Sequence, residues 1–245
     1  MTPDMESTAL KQDGSDGSSS DRHEANGLGR LPSSFSIRLA SMLAGDPQEG
    51  ADGLPYPIDT TTKISLEQGL WLYDFCLRHE ARHTLEVGLA YGYSALFITA
   101  AHHSRGNGSH VAIDPFQRTL WHGIGTRSVE RALGSAPIRF DLIPERSDCA
   151  AVDLARAKRN FDLIFLDGNH RFDDILLDIT LYSRLCAMQG HLVIDDMRLP
   201  SVAKAVAFLR TNRADFTEVP TPLPNASIFR KTQWDRRRWD HFSPF

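Results

Sequence analysis

Apolar residues follow two alternating patterns between residues 65 and 212. Short, nearly continuous apolar runs are typical of buried strands, and they are separated by longer stretches in which apolar residues recur every three or four positions, as on one face of a helix. Strands are predicted at His83–Gly88, His110–Asp114, Ile138–Glu145, Phe161–Asp167 and His191–Asp195. Helices are predicted at 65–80, 94–103, 119–134, 148–158, 171–188 and near 201–212. This alternation indicates a parallel sheet that is covered by helices on both faces.

The pattern changes after the last predicted helix. Residues 216–219 and 225–231 are predicted as two short strands, and the turn "TPLPN" between them favours an antiparallel hairpin at the end of the sheet. The predicted fold is therefore α/β, a doubly wound, Rossmann-like and mostly parallel sheet with a C-terminal antiparallel hairpin.

The region before this pattern divides into two parts. Residues 1–30 are rich in Ser, Gly, Asp and Glu, and such a segment buries too little apolar surface to offset its ordering entropy, so a disordered N-terminal tail is predicted. Residues 31–64 form a lead-in with an ambiguous pattern, and within it Tyr56–Lys63 is a candidate lid. The domain is predicted to span residues 31–245.

Composition and charge exclude several classes of protein. With 41% hydrophobic residues, 24% charged residues and a net charge of −4, the chain is ordinary for a globular domain and carries no basic excess, so neither nucleic acid nor a membrane is an expected partner. Cys76, Cys149 and Cys186 are scattered singly, which argues against a disulfide framework and a zinc knuckle. We expect a reducing, cytoplasmic compartment.

The first predicted strand ends in a glycine-containing loop. In a parallel sheet, ligands bind at the carboxyl ends of the strands, and here the sequence reads "LEVGLAYGYS". Gly88 and Gly92 permit a tight turn, and Ser94 opens the next helix, whose N-terminal amides favour an anionic group. The spacing G-x-x-x-G differs from the dinucleotide motif G-x-G-x-x-G, and a turn that serves packing alone is the alternative interpretation.

The second and third predicted strands end in further polar residues. Asp114 closes the second strand, where a carboxylate accepts hydrogen bonds from ribose hydroxyls, although an Asp before a proline is also a common turn residue. Ser147 and Asp148 follow the third strand at a position from which an adenine edge could be bound. A simple helix cap explains the same two residues.

Three carboxylates follow the fourth and fifth strands. Asp167 stands in "FLDGNHRF", and Asp195 and Asp196 stand in "LVIDDM". Clustered carboxylates repel one another, and a divalent cation that prefers oxygen ligands, such as Mg²⁺ or Mn²⁺, relieves the repulsion. Helix capping or solvation is the alternative. His170, three residues after Asp167, is a candidate general base.

Together these motifs resemble those of class I S-adenosylmethionine-dependent methyltransferases. "LEVGLAYGYSA" is especially similar to the loop of catechol O-methyltransferase, and the acid spacing resembles that of the metal-dependent catechol and macrocin-type O-methyltransferases. The resemblance covers roughly residues 60 to 232. It implies that a loop containing Glu86, Gly88, Tyr91, Gly92 and Ser94 holds the methionine end of the cofactor.

The same resemblance implies the remaining roles. Asp114 would bind ribose, Ser147 and Asp148 would approach adenine, and Asp167, Asp195 and Asp196 would hold the metal. The catechol enzymes carry Asn in place of Asp196 and Lys in place of His170, whereas the sugar enzymes carry Asp at the former position. These differences favour relatives that act on glycosyl groups.

The predicted function is transfer of a methyl group from S-adenosylmethionine to a hydroxyl of a small molecule or sugar, with divalent-metal assistance and His170 as the base. A nicotinamide-dependent oxidoreductase is disfavoured by the missing middle glycine. A noncatalytic module that binds the cofactor and a metal-independent methyltransferase remain alternatives. A homo-oligomer is compatible with the sequence.

The C-terminal segment "QWDRRRWDHFSPF" is aromatic and basic. Its basic run, 236–238, is typical of a solvated face. Trp234, Trp239, Phe242 and Phe245 are expected to anchor the segment on the domain, on a second subunit or over the substrate cleft.

Overall fold

The computed structural model describes residues 27–245. Its helices are α1 (Ser33–Leu43), α2 (Leu66–Arg78), α3 (Tyr93–Arg105), α4 (Ile124–Leu133), α5 (Ser147–Arg156), α6 (Phe172–Leu185) and α7 (Pro200–Asn212). Its strands are β1 (Gln48–Glu49), β2 (Pro55–Tyr56), β3 (His83–Val87), β4 (Ser109–Ile113), β5 (Arg139–Ile143), β6 (Phe161–Leu166), β7 (Cys186–Ile194), β8 (Phe216–Val219) and β9 (Ser227–Lys231). A short 3₁₀ helix spans Thr60–Thr62.

The main sheet of the described chain has the strand order β5-β4-β3-β6-β7-β9-β8. The strands from β5 to β7 are parallel, whereas β9 pairs antiparallel with β7 and with β8. The chain first builds outward from β3 to β5, then returns to the other side of β3 with β6. This reversal brings the carboxyl ends of β3 and β6 side by side. The predicted fold class, including the C-terminal hairpin, is confirmed.

Apolar side chains from both faces of the sheet form two cores. Alternate residues of a strand point to opposite faces, so Leu85 and Val87 pack beneath α5, α6 and α7, while Thr84 and Glu86 face α3. The strand residues Leu85, Ala112, Leu163, Ile164 and Val193 are fully buried. Burial on both faces explains why the strands appear as continuous apolar runs.

Two elements begin five residues away from the predicted position, and the helix predicted at 171–188 ends at Leu185. Strand β7 begins at Cys186, five residues before the predicted start, and it follows α6 without a connecting loop. Its pairing with β6 is irregular, with a register shift between Phe161 and Leu163. Gln189, with φ of 66°, lies in this irregular stretch. The sequence there has no continuous apolar run, so the hydrophobic pattern does not predict a strand. Helix α4 begins at Ile124 rather than 119, after Gly123 in a left-handed conformation.

The structure also defines the lead-in and the start of the folded region. Residues 31–64 contain α1, the β1–β2 hairpin and the 3₁₀ helix. Residues 1–26 of the predicted tail lie outside the described residues. Residues 27–30, also assigned to the tail, are part of the folded structure, because Leu28 is buried in the core and Arg30 pairs with Asp74.

In the described part of the chain, no helix combines the length and the apolar character needed to span a bilayer.

Candidate functional site

A cavity of about 790 Å³ opens at the carboxyl ends of β3, β6 and β7. The loop after β3 contributes Gly88 and Ser94, and the loops after β6 and β7 contribute Asp167, His170, Asp195 and Asp196. The topology explains this convergence, because β3, β6 and β7 are neighbours in the sheet. The predicted glycine loop and the predicted acidic residues therefore line one cavity.

Four of these residues form what we call the acid cluster: Asp167, His170, Asp195 and Asp196. His170 Nε2 lies 3.1 Å from Asp196 Oδ2 and 3.5 Å from Asp167 Oδ1. One ligand atom from each of Asp167, His170 and Asp196 lies within 4.8 Å of the others, an arrangement that could hold a metal ion. Within the described residues, His170 Nε2 is buried and makes no well-formed hydrogen bond.

Burial and mutual repulsion perturb the acid cluster. Desolvation raises the pKa of Asp167 to about 7; its contact with His170 opposes this increase, and the charges of Asp195 and Asp196 add to it. Desolvation also raises the pKa of Asp195. The contact with Asp167 raises the pKa of His170. The cluster thus contains three carboxylates, and the two basic side chains that contact them are His170 and Arg198, so an excess of carboxylates remains, which favours a divalent cation.

The surrounding loops hold the cluster in place. Ser201 Oγ, in α7, donates a hydrogen bond of 2.6 Å to the carbonyl of His170. Asn225 Nδ2, in the turn before β9, donates to Asp196 Oδ1 at 2.9 Å, and the same oxygen lies 3.2 Å from Arg198. Asp196 has φ of 59°, a conformation that is uncommon outside glycine. Contacts from Asn225 and Arg198 therefore hold Asp196, and the contact from Ser201 holds His170.

Asp195 is arranged differently from its neighbours. Its side chain is buried, and its Oδ1 accepts a hydrogen bond from the Asp196 amide at 2.8 Å. It lines the cavity but does not belong to the group of three whose ligand atoms converge. Its role as a metal ligand stays a prediction.

The two loop glycines make close backbone contacts. A Cβ on Gly88 would lie 2.1 Å from the carbonyl oxygen of Asp167, and φ at Gly88 is 94°. Gly92, with φ of 89°, precedes α3 and would bring a Cβ within 3.0 Å of the Gly125 carbonyl. The packing interpretation therefore accounts for both glycines, and Gly88 and neighbouring Leu89 and Ala90 still line the cavity.

Glu86 lies beneath this loop and is fully buried. Ser94 Oγ donates a short hydrogen bond to Glu86 Oε2, and Ser94 itself lines the cavity. Tyr91 is also buried and packs edge-on against Trp121, whose ring lines the cavity. Ser94 therefore reaches the cavity directly, while Glu86 is connected to it through Ser94.

Asp114 is buried at the end of β4 with both oxygens in use. Oδ2 accepts from Ala90 N at 2.8 Å and from Gln117 Nε2 at 3.2 Å, and Oδ1 accepts from Phe116 N at 2.8 Å. The carboxylate thus ties the glycine loop to the loop after β4. Asp114 does not line the cavity described above, and its predicted contact with ribose stays a prediction.

Ser147 and Asp148 are the first two residues of α5, but the residue at the cap position is Arg146 and no side chain makes a capping hydrogen bond, so the helix-cap interpretation is wrong in this detail. Asp148 pairs with Arg146 at 3.1 Å, and the carbonyl of Ser147 accepts a hydrogen bond from Tyr182 at 2.7 Å. Neither residue lines the cavity described above. Their predicted contact with adenine stays a prediction.

Several lining residues were not identified from the sequence. Gln68, Trp121, Arg198 and Asn225 line the cavity, and Gln68 Nε2 is buried without a hydrogen-bond partner among the described residues. Gln68 lies in the first turn of α2, where its spacing gives no functional signal. Residues 60–63, within the candidate lid, also line the cavity.

The aromatic C-terminal segment does not reach this cavity. Phe245 packs against Phe208 of α7, and Asn212 and Ser243 exchange two hydrogen bonds, which hold the segment on its own domain. Trp239 remains 95% exposed. Of the four aromatic residues, Phe245 packs on the domain, whereas Trp234, Trp239 and Phe242 are exposed, and contact with a second subunit stays a prediction.

Comparison with known proteins gives one match at the level of sequence. Residues 85–197 match a family described as a methyltransferase domain. This match confirms the resemblance to methyltransferases that the motifs indicated. No curated protein matches the chain.

Solved structures show a similar fold at low sequence identity. They include a methyltransferase of Podospora anserina bound to S-adenosylhomocysteine (16% identity, 93% of this chain and 100% of that chain covered, TM-score 0.62). They also include the O-methyltransferase TomG of Streptomyces achromogenes, involved in tomaymycin synthesis and bound to S-adenosylmethionine (20%, 88% and 96%, TM-score 0.60). A third is CalS11, a TDP-rhamnose 3'-O-methyltransferase of calicheamicin biosynthesis (13%, 88% and 96%, TM-score 0.55).

Proposed function

We propose, from the premise that residues 85–197 form a methyltransferase domain, that this protein transfers a methyl group from S-adenosylmethionine to a hydroxyl group of a small molecule or glycosyl acceptor, with divalent-metal assistance. The observation that carries the proposal is the shared cavity, which the glycine loop and the acid cluster both line. A methyl donor bound at the glycine loop and an acceptor hydroxyl bound at the acid cluster would lie in the same cavity.

The acid cluster fits a divalent cation by its chemistry. Asp167, Asp195 and Asp196 would hold the ion through oxygen atoms, and the unpartnered Nε2 of His170 lies beside them. Such an ion, when bound, lowers the pKa of an acceptor hydroxyl and orients it. Mg²⁺ or Mn²⁺ is the expected species, because carboxylate ligands favour both.

His170 is the proposed general base. Its ring is half-buried at the cavity wall, and the contact with Asp167 raises its pKa, which strengthens it as a proton acceptor. General-base catalysis contributes about 10²–10⁴-fold to such reactions. Alignment of the acceptor oxygen with the methyl group supplies a further part of the acceleration.

The cofactor would lie along the glycine loop. Ser94 and the first amides of α3 would bind its methionine end, and Asp114, at the end of the neighbouring strand β4, would bind a ribose hydroxyl. The acceptor would occupy the part of the cavity that Lys63, Trp121 and Arg198 line. A sugar acceptor is supported by the departures from the catechol pattern and by the likeness to CalS11, which acts on TDP-rhamnose.

A reducing, cytoplasmic compartment belongs to the same proposal. Cys76, Cys149 and Cys186 are all free thiols, as expected of a protein that needs no disulfide.

Calorimetry with S-adenosylmethionine and with NAD tests the cofactor assignment. We expect binding of the former only; binding of NAD alone would favour an oxidoreductase instead. Turnover is then measured on a panel of nucleotide sugars and catechols, with EDTA and with Mg²⁺ or Mn²⁺ added back.

The outcomes separate the remaining alternatives. Loss of turnover in EDTA and its recovery with the cation support the proposal. Full turnover in EDTA would leave a metal-independent methyltransferase, with the acids positioning the acceptor. Binding of the cofactor without turnover on any acceptor would favour a noncatalytic module.

A further inference from the structure

Trp121 is the largest side chain on the wall of the cavity. Apart from His170, the described residues that line the cavity include two aromatic rings, those of Tyr93 and Trp121. Tyr93 is 4% exposed, and its hydroxyl donates to the carbonyl of Met42. Trp121 is only half-buried, and it packs against Tyr91 with 5.0 Å between the ring centroids. Part of the indole ring is therefore available to a ligand in the cavity.

Trp121 lies in the loop between β4 and α4, residues 114–123, and this loop has little apolar anchorage of its own. Its side chains Phe116 and Leu120 are 56% and 59% exposed. The amide of Trp121 donates to the carbonyl of Phe116 at 3.2 Å, which is a contact within the loop. Gln117 attaches the middle of the loop to the carbonyl of Ala90. The end of the loop, which carries Trp121, needs a separate attachment.

The β1–β2 hairpin provides that attachment through His122, the residue directly after Trp121. The ring of Tyr56 stacks on the ring of His122, with 3.9 Å between centroids and 7° between planes. The amide of Ala51 donates to the carbonyl of His122 at 2.8 Å. A Cβ on Gly50 would lie 2.9 Å from the same carbonyl oxygen, so the two backbones are closely packed. The hairpin therefore contacts both the ring and the backbone of His122.

His122 has a backbone conformation that requires support from its surroundings. Its φ is 50°, which is uncommon for residues other than glycine. The stacked ring of Tyr56 is itself held, because its hydroxyl donates to Asp52 in the same hairpin. The stack with Tyr56 is thus one of the contacts that fix the backbone next to Trp121.

The hairpin is also attached to the helix that follows the loop. Glu49 of β1 forms ion pairs with Arg127 and Arg131 of α4. Because α4 begins at Ile124, the hairpin is held on one side of His122 by these ion pairs and contacts His122 directly. The hairpin, the end of the loop and the start of α4 therefore form one packed unit beside the cavity.

We propose that Trp121 binds the ring of the acceptor, and that Tyr56 is a positioning residue that holds Trp121 at the cavity wall by stacking on His122. An indole ring packs against the C–H face of a sugar or against an aromatic ring, so the substrate class is a ring that carries hydroxyl groups. This inference rests on the proposed function, because it assigns a contact of the proposed acceptor.

Fluorine NMR of protein that carries 5-fluorotryptophan tests the positioning role without any ligand. The chain has four tryptophans, and Trp121→Phe identifies the signal of Trp121. Tyr56→Ala should shift or broaden this signal and leave the other three unchanged. Leu54→Ala is the matched control, because Leu54 is an exposed residue of the same hairpin and should leave all four signals unchanged. An unchanged Trp121 signal in Tyr56→Ala would overturn the positioning role.

His122→Asn is a second variant for the case that Tyr56→Ala does not fold. Asparagine tolerates a positive φ and keeps the carbonyl that Ala51 contacts, but it lacks the stacked ring. It should change the Trp121 signal in the same way. A folded His122→Asn variant with a wild-type Trp121 signal would also overturn the positioning role.

Steady-state kinetics with TDP-rhamnose and with catechol, as separate acceptors, tests the contact with the ring. Tyr56→Ala should raise KM for the acceptor about fivefold and keep kcat within about twofold, with S-adenosylmethionine affinity unchanged. Trp121→Ala should raise KM about tenfold, and the double variant should not exceed that value, because Tyr56 acts through Trp121. Additive effects of the two substitutions, or an equal increase in Leu54→Ala, would overturn the inference.

Addition of each acceptor to the labelled wild-type protein separates the possible failures. The Trp121 signal should shift with TDP-rhamnose if the ring is a sugar, and with catechol if it is aromatic. Turnover without a shift would overturn this inference and leave the proposed function intact. A shift without turnover would contradict the proposed reaction and still support a ring-binding surface. The absence of both would overturn both.

Discussion

The acid cluster and the buried polar residues beneath the glycine loop, His102, Thr84, His110, Glu86 and Ser94, lie on adjacent elements but differ in charge. The buried polar residues contain a single carboxylate, Glu86, which accepts a hydrogen bond from Ser94. The acid cluster contains three carboxylates beside His170 and Arg198. Clustered carboxylates repel one another, so the acid cluster is the group that a bound cation would stabilise.

The difference also appears in solvent access. The side chains of Asp167, His170 and Asp196 are 22%, 36% and 17% exposed, so ions and acceptors can reach them. Glu86 and His110 are fully enclosed. We therefore expect substitutions in the acid cluster to affect the reaction, and substitutions around the glycine loop to affect the fold or cofactor affinity.

The largest effect is expected from Asp167→Asn. It removes one charge from the acid cluster and keeps the shape, so methyl transfer should fall on the order of a thousandfold while affinity for S-adenosylmethionine changes little. Steady-state turnover and calorimetry check this. Glu67→Gln, at the cavity wall but outside the cluster, is the control and should retain turnover. Near wild-type turnover in Asp167→Asn would show that Asp167 does not hold a catalytic metal ion.

Asp195→Asn tests whether Asp195 is also a metal ligand. Asp195 is the buried member of the acid cluster and lies outside the group of three converging ligand atoms. If it is a ligand, its substitution should reduce Mg²⁺ or Mn²⁺ affinity as much as Asp167→Asn does, measured by titration of the cation. Unchanged cation affinity, with His170→Asn reducing it instead, would place His170 among the ligands.

A substitution in the glycine loop should lower the free energy of unfolding more than it lowers the rate of methyl transfer. Gly88→Ala would bring a Cβ within 2.1 Å of the Asp167 carbonyl at a positive φ, so we expect a loss of about 3 kcal/mol in the free energy of unfolding, from backbone strain and steric overlap together. Gly106→Ala is the control: its φ is also positive, but nothing lies within 4 Å, and a loss of about 1 kcal/mol is expected. Equal losses in urea unfolding would contradict the packing role.

A third buried carboxylate, Asp178 in α6, provides a pH-dependent test. Burial raises its pKa to about 6 from 3.8, so the folded protein binds the proton more tightly than the unfolded chain does. The stability contributed by this group is therefore present below pH 3.8 and is lost as the pH rises through 6, reaching a cost of about 2–3 kcal/mol at pH 8.

Asp178→Asn removes that cost because the amide stays neutral. Its free energy of unfolding should match that of the wild type near pH 4 and exceed it by about 2 kcal/mol near pH 8. Urea unfolding at several pH values measures the difference, with Asp153→Asn, an exposed position, as the control. A constant difference across this range would show that Asp178 does not titrate as stated.

The smallest effect is expected at the N-terminus. Deletion of residues 1–26 should change the melting temperature little, because their composition offers little apolar surface to bury. Deletion through residue 31 also removes the buried Leu28 and Leu31, and we expect a loss of about 2–4 kcal/mol. Equal effects of both deletions would place the boundary of the folded domain elsewhere.

Periodicity and strand-end chemistry were sufficient to predict much of this molecule. Strands β3, β4, β6 and the C-terminal hairpin were predicted within a few residues, because burial on both faces leaves a continuous apolar signal. The convergence of Asp167 and Asp196 also followed from the sequence, since the ends of parallel strands meet at one edge. The early start of β7 was missed because its first residues form an irregular, polar stretch.

Contacts between residues far apart in the chain were beyond such reasoning. Gln68, Asn225 and His110 carry no motif, and each gains its significance from a neighbour that only folding supplies: the cavity, Asp196 and Glu86. Leu28 was assigned to the tail because a single apolar residue in a polar segment does not signal burial.

The sequence by itself determined the layered fold, the methyltransferase resemblance and the residue types at each strand end, because hydrophobic period and turn chemistry are local properties of the chain. The tertiary structure decided which polar atoms find partners and which do not. That outcome depends on distances between separate elements, and it distinguishes the enclosed Glu86 from the accessible Asp167 although each stands at or near the end of a neighbouring strand.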